Sequence, residues 1–319
     1  MKKRLITAAA AALFALLTVF SAEARAGASR GLALWTGLLV PSLLPYFAAA
    51  GLLTKLGAID ALGRFAARRG ALPGLPKGAA CGIFLLGLSG GYPLGAATAA
   101  EAVRAGTLTR EEAERLLFYA DNTGPAFAVG AIGAGVFGSA AVGLALWGVH
   151  ALTALLLSLT CREERSGRSA PVTAAPALSF SEALTSSVSA AGLAVGRIGA
   201  YVVFFSALLA VADALGFPGA AADVFAAHIG GSAAFWRALF TGALELSSGA
   251  GAMTALPMTP ETLALSSFLL GWGGLCVHFQ AAAVTAGTGI RLRRRLIGKL
   301  CHGLLAAAVT FSGASILFS

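Results

Sequence analysis

The sequence predicts an all-α polytopic membrane protein, on three observations. Apolar residues supply 57% of the 319 positions and charged residues 12%, against roughly 45–50% and about 25% in ordinary globular chains, and mean hydropathy is +0.82. Apolar stretches of about 20 residues recur along the chain, the length a helix needs to cross a hydrocarbon core of roughly 30 Å. The 23 Lys and Arg stand in short clusters between those stretches, so the net charge of +9 reports topology rather than nucleic-acid binding. Cys81, Cys161, Cys276 and Cys301 have no CxxC spacing and no His pair to complete a zinc site, and read as bulk apolar residues.

In chain order, residues 1–26 open on Lys2, Lys3 and Arg4, continue apolar to Phe20 and carry Ala22, Ala24 and Ala26 at cleavage-like spacing. They read as a signal-like segment or a first transmembrane helix. Residues 31–54 make a full span, about 36 Å long as a helix. A basic linker with Lys55, Arg64, Arg68, Arg69 and Lys77 leads to an apolar segment, 79–103, broken at Gly87-Leu88-Ser89-Gly90-Gly91-Tyr92-Pro93. Stretches 116–137 and 139–160 follow. Asp121-Asn122-Thr123-Gly124-Pro125 interrupts the first, because proline removes an amide donor and disfavours helix at the residue before it.

A cytoplasmic polar linker, 161–192, precedes a second series: span 193–215, segment 233–256 broken at Glu245-Leu246-Ser247-Ser248-Gly249, run 261–287 broken at Gly271-Trp272-Gly273-Gly274, and span 296–318. Residues 31–160 and 193–319 thus read as two repeats with one order of elements.

Whether the broken segments 79–103 and 233–256 cross fully or turn back is decided by charge, since Lys and Arg accumulate on the cytoplasmic side of short loops. If both are re-entrant hairpins, only Arg25, Arg30 and Arg237 lie outside. If both cross, everything from Arg104 to Arg197 moves outward. The hairpin reading wins, and it inverts the halves: hairpin one enters from the cytoplasm and hairpin two from the opposite face. Inverted-topology repeats, each with a re-entrant hairpin and a discontinuous transmembrane helix, are the construction of secondary transporters, where half-helix N-termini face anionic groups.

The interruptions are the candidate substrate-binding places. At tip one, Ser89, Gly90, Gly91 and Tyr92 offer amides, a hydroxyl and a phenol at membrane depth, which is tolerated only inside protein or beside a water-filled cavity; Gly87, Gly91 and Gly95 equally suit a helix–helix contact. Asn122, Thr123 and Gly124 mark the first broken helix, as substrate contacts or as a plain kink. Glu245, an intramembrane carboxylate, is a candidate for ion coupling or proton exchange, or for a structural partnership with hairpin-tip amides. Ser247 and Ser248 resemble the tip of hairpin one. His278 and Gln280 follow the second break, two positions apart, so one regular helix would point them in different directions. His150, His228 and His302 receive no role. No GxSxG, phosphate-cradling loop or HExxH is present, and no enzyme activity, cofactor or metal site is expected.

At these residues the sequence resembles the YlbJ (SpoVV) family of sporulation integral membrane proteins, within the nucleoside-recognition or Gate domain group related to concentrative nucleoside transporters. The resemblance is carried by Leu39-Val40-Pro41-Ser42-Leu43-Leu44-Pro45-Tyr46-Phe47, Leu88 to Ala96, Thr109 to Leu117, Asn122 to Phe127 and Gly242 to Gly249, and runs from about residue 31 to the C-terminus. It implies transport of dipicolinate, a small anionic aromatic metabolite, across the mother-cell-derived outer forespore membrane. A coupling Na+ or H+ is the expectation at Glu245, and a trimeric relative taken as guide implies a homo-oligomer. The alternatives are a non-transporting membrane scaffold with a Gate fold and a nucleoside-type transporter.

Overall fold

The computed structural model describes residues 2–57, 79–161 and 179–318, and among them no β-strand occurs. The basic-linker positions Arg64, Arg68, Arg69 and Lys77, and most of the polar linker, lie outside the described residues. Helix α1 (Lys2–Val19) meets α2 (Ser21–Leu34) at a bend of 91°. Because α2 runs unbroken past Ala26, the boundary expected between residues 26 and 31 is absent. A π-helical turn (Trp35–Leu39) then passes into α3 (Val40–Lys55), so the span expected at 31–54 is a composite helix.

Hairpin one consists of α4 (Ala79–Gly90) and α5 (Leu94–Arg104), joined by a turn at Gly91, whose φ of +82° suits glycine. A short helix, α6 (Arg110–Leu116), carries a capping box in which Thr109 and Glu112 satisfy each other's backbone amides. The stretch expected from 116 is not continuous helix: after turns through Tyr119 to Pro125 the chain resumes as a π-helix (Ala126–Val136). Helix α7 (Ala140–Thr160) matches its expected span.

The second half begins earlier than expected. A second capping box, Ser179 with Glu182, starts α8 at residue 180, and its 35 residues (Phe180–Ala214) absorb positions 180–192 of the supposed linker. Helix α9 (Gly219–Ile229) is a short apolar helix the sequence reading did not anticipate. Hairpin two is α10 (Ala233–Leu244) and α11 (Leu246–Met253), hinged on Glu245. The second discontinuous helix is α12 (Pro260–Trp272) and α13 (Gly274–Thr285), broken where Gly273 and Gly274 both adopt φ near +80°. Helix α14 (Arg293–Phe318) ends the chain.

Among the described residues, four helical segments are long and apolar enough to cross a membrane: 140–160, 180–214, 260–285 and 293–314; counting the bent pair 4–19 and 21–39 as one span gives five. The chain is therefore an all-α polytopic membrane protein.

Small residues let these helices meet closely, the usual device where lipid removes the hydrophobic drive between helices. A methyl group at Gly31 of α2 would lie 2.8 Å from Ser206 of α8, and one at Gly271 of α12 would lie 2.6 Å from Gly303 of α14. The hairpins fold back on themselves the same way: Gly87 approaches Gly95, and Gly242 approaches Gly249. The two halves interlock, because α2 and α3 pack along α8 while α14 packs on both α7 and α12. Arg104, at the end of hairpin one, donates to the carbonyls of Val284 and Ala286 (3.0 and 3.1 Å), closing the C-terminus of α13.

Candidate substrate-binding site

The four interruptions meet at the centre of the bundle. Gly91 of tip one and Gly124 of the first break touch backbone to backbone; a methyl on either would lie 2.9 Å from the other's amide nitrogen. The C-terminal carbonyls of α12, freed by the Gly273 break, are satisfied from the other half. Tyr92 donates its phenol to Leu270 and Gly271 (both 3.1 Å), and Thr123 donates its hydroxyl to Leu270 (2.7 Å). Between the interruptions lies a cavity of about 50 Å³, bounded by Gly90, Gly91 and Tyr92, by Thr123 and Gly124, by Glu245 and Ser247, and by Gln280, with an apolar wall from α3, α8 and the π-helix. That volume admits a few waters and is far below the roughly 300–1,000 Å³ of a small-molecule site.

Beside it, α14 contributes a buried ionic cluster that the sequence reading missed. Asp121, Arg295 and Lys299 are at most 1% exposed. Arg295 donates Nε–H to Asp121 Oδ2 (2.8 Å), while its Nη2 lies 2.6 Å from the same oxygen without hydrogen-bond alignment, and its Nη1 donates to His278 Nδ1. Lys299 donates to the Asp121 carbonyl, to Asn122 Oδ1 (3.0 Å) and to His302 Nδ1 (3.3 Å).

These partners fix three imidazole tautomers, since a guanidinium, an ammonium and a backbone N–H can only donate. His278 keeps its proton on Nε2. His302 does so too, donating to the His150 carbonyl at 2.9 Å. His150 accepts from the Thr123 amide at 3.1 Å and keeps its proton on Nδ1. The three histidines are therefore neutral, and two buried cations face one carboxylate. Both cations also lie over the Tyr92 ring, 5.8 and 5.7 Å from its centroid, so that ring stands between them and the cavity it lines.

The sequence reading took Arg295 and Lys299 as part of a cytoplasmic charge cluster. Their spacing was the available signal. Positions 295, 299 and 302 recur on one face of a helix, whereas 293 and 294 point elsewhere.

At the start of the second helix of each hairpin, the backbone amides already hold a carboxylate of the protein, which for Glu245 is the structural partnership that the sequence left open. Asp121 Oδ1 accepts from Ala96 N–H (3.1 Å) in the first turn of α5, and Glu245 accepts from Ser247 N–H (3.0 Å) and Ser248 N–H (2.6 Å) at the start of α11. In both hairpins a buried carboxylate of the protein occupies the amides. Glu245 is 2% exposed, and among the described residues no Lys, Arg or His nitrogen lies within ion-pair distance of it.

Of the sequence candidates, Gly90, Gly91, Tyr92, Thr123, Gly124, Glu245, Ser247 and Gln280 border the cavity, and Gln280 donates to Cys276 Sγ at 3.4 Å. Four stand back from it. Ser89 donates to Leu86 O (3.4 Å) within its own helix, Asn122 joins Tyr119 O to Lys299, and His278 packs edge-on against Trp272. Ser248 faces a separate vestibule of about 710 Å³ between α2, α8, α10 and α11. Among the described residues no group of three or more His, Cys, Asp or Glu could hold a metal ion.

No family model and no solved structure matches this chain. It is 27% identical over 339 aligned positions to the sporulation integral membrane protein YlbJ of Bacillus subtilis (strain 168), covering 92% of this chain and 79% of that protein. Similarity of that extent, in a chain of this helical build, supports its assignment to the YlbJ family of sporulation integral membrane proteins.

Proposed function

We propose that this chain is a secondary-type transporter of a small anionic aromatic metabolite, dipicolinate in particular, acting in the outer forespore membrane during sporulation. The observation that carries the reading is the meeting of both hairpin tips, the first helix break and α13, just beyond the second break, at one small cavity, with a carboxylate of the protein already on the amides of each hairpin. In this reading the halves are inverted repeats, hairpin one entering from the cytoplasm and hairpin two from the opposite side. The hairpins move against the frame of α7, α8 and α14, and the cavity enlarges as they part.

Asp121 and Glu245 then stand where substrate carboxylates bind. The surplus positive charge of Arg295 and Lys299 favours a dianion, and the Tyr92 ring offers a face for an aromatic substrate. Glu245 gives up the α11 amides when it takes a proton or pairs with Na+, which couples substrate entry to that ion. No chemical step on the substrate belongs to this scheme.

Flux of pyridine-2,6-dicarboxylate into liposomes holding the purified chain tests it. Uptake responding to a proton or sodium gradient is the expected result, and Glu245→Gln is expected to remove the response to the gradient. A purified chain that neither binds nor moves the dianion would be a membrane scaffold; one that prefers nucleosides would be a nucleoside-type carrier.

A further inference from the structure

We propose that the vestibule beside hairpin two is a capture site for small organic anions, with Arg30 and Arg237 as its cationic walls. Its volume, about 710 Å³, falls within the range of small-molecule sites, and its lining follows their pattern of apolar walls with a few convergent polar groups. The walls include Leu34, Leu38 and Leu209, and the ionisable groups are Arg30, Asp213 and Arg237. Arg237 donates one nitrogen, Nη2, to both oxygens of Asp213 at 2.7 Å. Its Nε and Nη1 have no hydrogen-bond partner among the described residues, nor does Arg30, so the vestibule carries one net positive charge and two guanidinium groups with donors to spare.

The placement of these arginines is informative. The positive-inside rule depletes the non-cytoplasmic face of Lys and Arg, and the hairpin reading leaves only Arg25, Arg30 and Arg237 there. Two of those three line this one vestibule. A guanidinium offers a planar fork that matches a carboxylate, and a charged recess with low-dielectric walls raises the local concentration of the opposite charge.

The vestibule also leads toward the centre. Ser248 lines it, its hydroxyl 3.4 Å from that of Ser206 on α8, while the adjacent Ser247 lines the central cavity. The tip of hairpin two is the partition between the two spaces. That a captured anion passes onward rests on the transport reading; the capture of anions does not.

The test is a pair of labelling rates at Thr241→Cys, a vestibule position, with the partly exposed Cys161 and Cys301 replaced by Ser. Anionic sulfonatoethyl and cationic trimethylammonioethyl methanethiosulfonate are compared, each normalised to a free thiol. At low salt the normalised rate should favour the anionic reagent by about tenfold. It should fall toward parity in Arg30→Gln/Arg237→Gln, and it should rise in Asp213→Asn, which frees Arg237. Leu209→Cys repeats the measurement if the first variant does not fold. A ratio near one in the native background, or one unchanged in the double variant, overturns the capture site. Protection from labelling by pyridine-2,6-dicarboxylate, and not by the neutral dicarboxamide, would identify the anion. Charge preference without such protection would leave the capture site standing and count against dipicolinate as the transported species.

Discussion

Asp121 holds the centre together at several atoms: one carboxylate oxygen takes the Ala96 amide, the other takes Arg295, and its backbone carbonyl takes Lys299. Removing one member of a buried charge pair costs about 3–5 kcal/mol, because its partner stays buried and uncompensated. Asp121→Asn is therefore expected to lower the melting temperature of the detergent-solubilised chain severely. The Asp121→Asn/Arg295→Gln double variant should lose less than the sum of the two single changes. Strict additivity in that cycle would mean the ion pair contributes nothing to the fold. At this scale the sequence was partly legible. Glycines, a proline and an isolated acid mark Gly91, Gly124 and Glu245 as unusual inside apolar stretches. Arg295 and Lys299 are masked by Arg291, Arg293 and Arg294, which share their cluster but not their helix face, and His150 and His302 become visible only when α7 and α14 bring their rings to a 4.1 Å stack.

Glycine contacts set how the interrupted elements seat on one another. Gly87 of α4 lies directly against the Ala120 carbonyl of the first break, and a side-chain methyl at position 87 has no room there. Gly87→Ala should push hairpin one away from the break at a cost of about 1–3 kcal/mol, whereas Gly148→Ala on α7, with open space around it, should be neutral or slightly stabilising. Equal melting temperatures for the two variants would contradict this seating. The interruptions were readable from the residues that end helices. The π-helical stretches were not, because their composition is that of any apolar helix. The start of α8 carried a readable signal, Ser179 three residues before Glu182, which the polar-linker reading of 161–192 passed over.

The whole molecule follows from placing four interruptions at one point, which no single stretch of sequence specifies. Charge distribution along the chain proposed the arrangement of segments. What periodicity could not supply is the cross-half bonding: Tyr92 and Thr123 from the first half closing α12 in the second, and Arg104 closing α13. These bonds make the halves interdependent, and they have to break in the proposed transport cycle, which requires the hairpins to reach the centre from opposite sides of the membrane and to part there.

That requirement is tested most directly by labelling single cysteines from each face of oriented vesicles, at positions 77 and 105 flanking hairpin one and 232 and 258 flanking hairpin two. The account predicts that 77 and 105 react only from the cytoplasmic side, and that 232 and 258 react only from the opposite side. Reaction of the two flanks of either hairpin from different sides would show a segment that passes through the bilayer and would contradict it.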